Sequence, residues 1–469
     1  MKSKYSYLTK NVLLFSISGF IPKILAFILV PIYTSYLSAG EYGVSDLITT
    51  TVSLFIPIFT LDIQDAVMRF SLDKDYKKQD VFSVAIRIIL AGTLLIASGA
   101  FVVSRFNIIT NSYLIFFVIM YFTTATNNTI TLFCRGIDKV GTMVIGGILN
   151  SVITLAANIL FLVVFHWGLT GYLVANTIGA AAALIWCFFG AKLYRYIRWN
   201  IPKTVFKDMV VFSFPLIFSV IAWWVNTASD RYILSWLSGV AVSGIYAISY
   251  KIPSLLSMFQ NIFFQAWSIS AIKEFDKDDS DGFIGNMYTM MNFAMVVVCS
   301  GLMIMNIPIA KILYANEFFE AWKFVPPLLI SVVFNAMALF IGSIFTAVRD
   351  TKTLSISTII GAIVNTACNF LFIYCWGAYG AALATLLGYG VVFLMRHIIL
   401  RKHIRMKIKW RRDIITYIFL VTQMIFAVFA MRFIWVQIII CLGILLLYYK
   451  EIKALVQLIR NKLFKKKEL

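Results

Sequence analysis

Long apolar runs, separated by short polar stretches, recur along nearly the whole chain. A helix needs about 20 mostly apolar residues to cross the hydrocarbon of a bilayer, and these runs reach that length repeatedly. The pattern predicts 14 spanning helices, at 11–36, 43–69, 81–103, 111–133, 142–165, 169–193, 208–237, 241–270, 284–314, 324–347, 353–375, 378–399, 413–431 and 433–449. Connecting loops are short, and the longest outer segment, near Ala315–Phe324, holds about ten residues, too few for a folded domain. The first run is too long for a signal-peptide core and lacks a clear small-residue cleavage site, so it is expected to be retained.

The apolar pattern also repeats. Arg135-Gly136-Ile137-Asp138-Lys139 leads into Gly146-Gly147-Ile148-Leu149-Asn150 and then Trp167-Gly168-Leu169-Thr170-Gly171. Farther on, Arg349-Asp350-Thr351-Lys352 leads into Gly361-Ala362-Ile363-Val364-Asn365 and then Trp376-Gly377-Ala378-Tyr379-Gly380. A weaker echo pairs Leu37-Ser38 before Gly43 with Leu237-Ser238 before Gly244. Each repeat holds six helices, an even number, so both copies enter the membrane in the same sense, the parallel arrangement of some transporters. The expected fold is an all-α integral membrane protein of about 14 transmembrane helices, with two six-helix lobes and two extra C-terminal helices. The lobes are expected at 1–200 and 201–405, with helices 13 and 14 and a basic tail at 406–469.

Composition agrees, with 61% hydrophobic and 13% charged residues and a mean hydropathy of +0.87. A soluble domain carries about a quarter charged residues, so a water-soluble globule is excluded. The net charge of +20 would suggest nucleic acid in a soluble protein, but here its location decides. With both termini in the cytoplasm, 33 of the 41 Lys and Arg fall on the cytoplasmic side, four on the outer side and four inside spans. Such asymmetry is the positive-inside signal and supports the span count. The richest blocks, Arg401–Arg412 and the tail ending Lys465-Lys466-Lys467, suit anionic membrane lipids. They lack the interleaved aromatics or the module of a nucleic-acid binder. The six cysteines read as small buried hydrophobes and the three histidines are scattered, so no metal or cofactor is expected.

Ionisable groups inside spans are functional candidates by default, because burying charge in hydrocarbon is costly. Lys23 lies ~18 Å into helix 1 and Lys251 ~15 Å below the outer end of helix 8, both near the midplane at 1.5 Å per residue. Arg87 and Arg231 lie closer to the two faces, within reach of snorkelling. Together the four could form a cationic track for an anion. Asp230 precedes Arg231, and on a helix the two point about 100° apart and should not pair. Asp65 and Arg69 have the spacing of a helical ion pair, a structural lock, while Asp62 is a candidate coupling-ion ligand. Tyr246 and Tyr250, four apart beside Lys251, could stack on a sugar ring, although packing is the commoner role of such a pair.

Several stretches carry a family resemblance. They are Leu37-Ser38-Ala39-Gly40-Glu41-Tyr42-Gly43, Ala66-Val67-Met68-Arg69-Phe70, Gly244-Ile245-Tyr246 through Tyr250-Lys251-Ile252, and Gln265-Ala266-Trp267. In their order and spacing the chain resembles the Wzx-type oligosaccharide repeat-unit flippases. That family belongs to the superfamily of multidrug and toxin extruders and lipid II flippases. The resemblance implies a MATE-like fold and a polyprenyl (undecaprenyl)-pyrophosphate-linked oligosaccharide moved from the inner to the outer leaflet of the cell membrane. It also implies surface polysaccharide assembly beside a polymerase and other assembly proteins, without catalysis. A cationic cavity is implied too, and Lys251 is the first position to carry that role. Lipid II flippases look richer in arginine along helix 1, where this chain offers only Lys23, which points away from a peptidoglycan precursor. A drug or cation antiporter would need a buried carboxylate, and the excess of buried base argues against it. A glycosyltransferase or polymerase would need a long outer loop or an acidic motif, and the sequence has neither.

Overall fold

The computed structural model describes residues 22–107, 110–273, 275–406, 408–429, 433–453 and 457. The first half of span 1, Arg432 and the C-terminal lysine run lie outside the described residues. All regular structure among the described residues is helical, as a bilayer requires of a chain whose backbone must satisfy its own hydrogen bonds.

The helices follow the apolar runs. They are α1 (Pro22–Tyr36), α2 (Ala39–Phe59), α3 (Ile63–Leu72), α4 (Lys78–Arg105), α5 (Asn111–Gly136), α6 (Val140–Asn158), α7 (Gly168–Gly190) and α8 (Lys203–Ser238). Then come α9 (Val240–Ser249), α10 (Lys251–Lys273), α11 (Phe283–Leu313), α12 (Val325–Ala347), α13 (Thr351–Leu400), α14 (Trp410–Phe429) and α15 (Ile434–Leu447). Among the described residues nine helices are long and apolar enough to cross a membrane. Predicted spans 2 and 8 are each broken in two, as α2–α3 and α9–α10. Spans 11 and 12 run on as α13, folded back at Gly377, whose φ of 56° and ψ of −138° interrupt the helix.

Both repeat hairpins are held by glycine. Across α6–α7, a Cβ on Gly179 would strike Thr154 Oγ1 and Asn150, and one on Gly146 would strike Cys187 Sγ. Within α13, Gly361 lies against Val392 and Gly388 against Asn365, so its two halves run antiparallel. Gly168 and Gly377 both have positive φ, and Gly171 and Gly380 both crowd the helix before the turn.

Contacts group the chain into two compact units, Met1–Ala228 and Ser229–Leu469. Residues 194–207, expected from their charge to be the cytoplasmic connector between the lobes, are tied into the first unit together with Asp208. Ser83 Oγ donates to Tyr196 O at 3.0 Å and accepts from Arg198 N at 2.7 Å. Tyr76 Oη donates to Asp208 at 3.1 Å.

Glu41 explains the Leu37–Gly43 motif. It completes a capping box with Ser38 at the start of α2 and also accepts from Leu169 N at 3.2 Å, at the start of α7. One carboxylate thus serves two helix N-termini, where negative charge is favoured. Glu41→Ala is expected to cost about 1–2 kcal/mol, read as a lower unfolding temperature in detergent, with Glu41→Gln costing less.

In the second unit α14 and α15 are fastened to α11 by buried polar pairs. Asn292 donates to Tyr448 Oη and accepts from Tyr417 Oη, both at 2.9 Å, and Ser300 exchanges two hydrogen bonds with Gln423. Arg412 bridges Asp413 at 3.1 Å and Glu451 at 2.6 Å. At the loop before α13, Asp350 caps the helix. The Thr353 hydroxyl and amide, then His403 beside it, hold its carboxyl below the usual carboxylate range.

Candidate functional site

A buried polar cluster in the second unit centres on Asp230, near the end of α8 and almost wholly buried. Its Oδ2 accepts from Tyr246 Oη at 2.8 Å and Tyr250 Oη at 2.9 Å, and Thr385 Oγ1 of α13 lies 3.5 Å away. Its Oδ1 accepts from Arg231 N at 2.9 Å. Four donors around one carboxylate compensate its removal from water.

The local sequence sets this up. Tyr246 and Tyr250 lie one turn apart on one face of α9, so both hydroxyls reach the same oxygen. The helix then breaks for one residue at Tyr250, and Lys251 opens α10 half-buried. The two rings meet edge-on at 5.4 Å, and the Arg231 guanidinium sits 5.3 Å from the Tyr250 ring centre, within cation–π range. Arg231 thereby lies over the Tyr250 ring, and Lys251 is the next residue in the chain. A guanidinium over a half-buried phenol, with a second basic residue next in the chain, is an arrangement suited to an oxyanion.

The other candidates stand elsewhere. Lys23 is exposed at the start of α1. Arg87 is exposed and donates to the backbone carbonyls of Trp199 and, at 3.4 Å, Arg198, so its charge is engaged by the linker. Arg69 pairs with Asp73 at 3.5 Å, which corrects the expected lock with Asp65; Asp65 is exposed. Asp62 is fully buried in the break between α2 and α3. Tyr246 has 0% exposure, so it has no free face for a sugar, and that expectation passes to Tyr250 alone.

Sequence reasoning named Asp230 only to exclude an Arg231 pair and so missed its tyrosine partners. It also counted Arg396 only among the basic residues of the cytoplasmic side. Arg396 is buried, with Nη1 donating to Ala338 O at 2.8 Å, Nη2 to Thr358 Oγ1 at 2.9 Å and Nε to Ser357 Oγ at 3.0 Å. Trp267, in a motif stretch, stacks on Phe340 at 4.1 Å and donates to its carbonyl, a packing role. A cavity of ≈ 490 Å³ in the first unit, between α2, α4 and α5, is lined by apolar residues with only Thr51 and Tyr113 polar. Without a charged group it cannot neutralise a phosphate.

Comparison with known proteins now places the chain. Residues 8–269 match the polysaccharide biosynthesis protein family. A comparison with curated proteins gives no match. Among solved structures, the lipid II flippase MurJ in an inward closed conformation is similar at TM-score 0.67 and 14% identity, over 94% of this chain and 100% of that one. An inward-facing multidrug resistance MATE family transporter of the MOP superfamily is similar at TM-score 0.67 and 12% identity, over 82% and 97%. A MOP superfamily transporter from Pyrococcus furiosus is similar at TM-score 0.56 and 13% identity, over 84% and 95%. These likenesses establish the fold. The chain is a multi-pass membrane protein with the fold of the MOP superfamily transporters, and it belongs to the polysaccharide biosynthesis protein family.

Proposed function

We propose that the protein is a flippase that carries a polyprenyl-pyrophosphate-linked oligosaccharide from the inner to the outer leaflet of the cell membrane for surface polysaccharide assembly. Both termini are cytoplasmic in this reading, and the two lobes alternate in opening to either side. The observation that carries it is Arg231 over the Tyr250 ring, with half-buried Lys251 the next residue in the chain, inside the second unit. A pyrophosphate needs concentrated positive charge in a medium of low dielectric, and the first sugar needs an aromatic face, which Tyr250 supplies. Lys23 is the cation offered by the first unit. No bond is made or broken, so the residues have only to bind, release and exclude lipid.

The test is a strain lacking the protein, with lipid-linked saccharides extracted and assigned to a leaflet. The completed unit should accumulate on the cytoplasmic leaflet while surface polymer is lost. Arrival of the completed unit at the outer leaflet, or failure to form it, would overturn the reading. Two buried carboxylates, Asp62 and Asp230, favour cation-coupled antiport on the same fold as the second reading. Intact surface polymer together with sensitivity to cationic drugs in that strain would select it.

A further inference from the structure

Three acids of the spans are almost wholly buried, Asp62, Asp230 and Asp413, and they differ in what compensates them. Asp413 pairs with Arg412 at 3.1 Å. Asp230 has donors on both oxygens. Asp62 does not. Its Oδ1 accepts from Gln64 Nε2 at 3.2 Å, while its Oδ2 is fully buried and has no hydrogen-bond partner. A buried carboxylate oxygen with nothing to compensate it is unfavourable unless positive charge joins it.

The surroundings determine what that charge can be. Asp62 lies in the break of the second span, about 15 Å from the end of α3 at 1.5 Å per residue. Leu61 and Asp62 both take left-handed backbone conformations, with φ of 53° and 49°. On α5, which packs against α3, Tyr121 Oη and Thr126 Oγ1 are likewise buried without partners. Phe59 O, at the end of α2, faces Gly92 of α4 so closely that a Cβ there would lie 2.3 Å from it, and 2.8 Å from Tyr121 Oη. The Asp62 carboxylate itself offers oxygens, the donors that small hard cations prefer, and further buried oxygens lie on the elements that pack in this unit.

Among the described residues no side chain supplies the charge. On α3, Asp65 and Arg69 are exposed, and Arg69 is paired with Asp73. On α4, Arg87 is turned to the carbonyls of Arg198 and Trp199. On α5 no charged residue occurs before Arg135 at its end, and on α2 the acids Glu41 and Asp46 lie in the far half.

We propose that Asp62 is a binding site for a small cation, a proton or a monovalent metal ion, at the break between α2 and α3, and that its uptake and release drive lipid translocation. The binding half stands on the geometry of the first unit alone, while the driving half rests on the flippase reading. The broken span suits such a site, because interrupted membrane helices expose backbone carbonyls where coupling ions bind.

The test has two arms on the purified full-length protein. In the first, the unfolding temperature is followed in detergent during acid titration, and at fixed pH during exchange of choline for lithium, sodium or potassium. The wild type should gain stability with the ion that binds, and Asp62→Asn should start at the raised value and not respond. If the asparagine variant does not fold, Asp62→Ser replaces it. A wild type that responds to no ion, or whose response the variant shares, overturns the site.

In the second arm, proteoliposomes are loaded with lipid-linked oligosaccharide from cells lacking the protein. A tenfold gradient of the coupled ion should hold about a tenfold ratio between leaflets at one-to-one coupling, and Asp62→Asn should lose that ratio. A pH gradient and a metal-ion gradient imposed separately identify which cation acts. Equilibration by wild type without response to either gradient overturns the coupling but leaves flipping intact. Absence of flipping by wild type overturns the flippase reading, and the stability arm still decides the site.

Discussion

Asp230→Ala is expected to abolish transport and to cost about 3 kcal/mol of stability, the scale for removing a charged acceptor from buried donors. Tyr246 has no exposed surface, so its hydroxyl cannot turn to water when the carboxylate goes. Tyr246→Phe and Tyr250→Phe should each cost about 1–2 kcal/mol. Because both donate to Oδ2, the double variant should cost less than the sum of the two. Asp230→Asn separates stability from function. It keeps the shape and one acceptor, so it should fold better than alanine yet still export poorly, because Arg231 and the α9–α10 break lose their anchor. Unfolding temperatures in detergent, with surface polymer measured in a complemented deletion strain, check this series. A stable, exporting Asp230→Ala protein would show that the cluster neither holds the unit together nor places the cations.

Most of the fold was legible because bilayer crossing imposes a length and a polarity that hydropathy reads directly. Each predicted span with described residues falls on helix: spans 2 and 8 on two helices each, and spans 11 and 12 on the two halves of α13. The breaks were not legible. Span 2 gives way at Thr60–Asp62 and span 8 at Tyr250. In both places only a few residues depart from helix within an apolar run, and such a run has the same hydropathy whether or not it bends. Pro57 and Pro253 lie nearby, but prolines also sit inside unbroken helices here, at Pro215 and Pro308.

The candidate site was legible in its ingredients and not in its wiring. Arg231, Lys251, Tyr246 and Tyr250 were singled out because charge and aromatics inside a span are unusual. Their partner Asp230 was not, since its donors come from a neighbouring helix and from Thr385, far away in the chain. Weighing buried base against buried acid by depth alone undercounted the acids. Lys23 and Arg87 are exposed, whereas Asp62 and Asp230 are buried. Arg396 shows the converse error. Its place near the end of a span put it among the cytoplasmic-side basic residues, but three hydrogen bonds at 2.8–3.0 Å hold it inside.

Gly380→Ala is expected to cost about 3 kcal/mol or more, the upper range for forced overpacking. A Cβ at Gly380 would lie 2.0 Å from the carbonyl oxygen of Phe372 and 2.3 Å from its carbon. Both are backbone atoms, so no side chain can swing away and the two halves of α13 would have to part. Gly377, three residues earlier, faces open space, and its cost on substitution is conformational only, about 2 kcal/mol for a backbone region that other residues avoid. The matching glycine of the first repeat, Gly171, meets the Cβ atoms of Phe161 and Trp167 at 3.0 Å. With Phe161 O at 3.2 Å, these contacts require a shift of only a few tenths of an ångström, so Gly171→Ala should cost about 1 kcal/mol. The expected ranking is therefore Gly380, then Gly377, then Gly171, read as folded protein recovered from membranes and as unfolding temperature. A reversed order would mean that the α13 hairpin opens where the α6–α7 hairpin is tight. Asn365 and Gly388, which face each other across α13, would then no longer hold its halves in register, and Thr385 would lose its place beside Asp230.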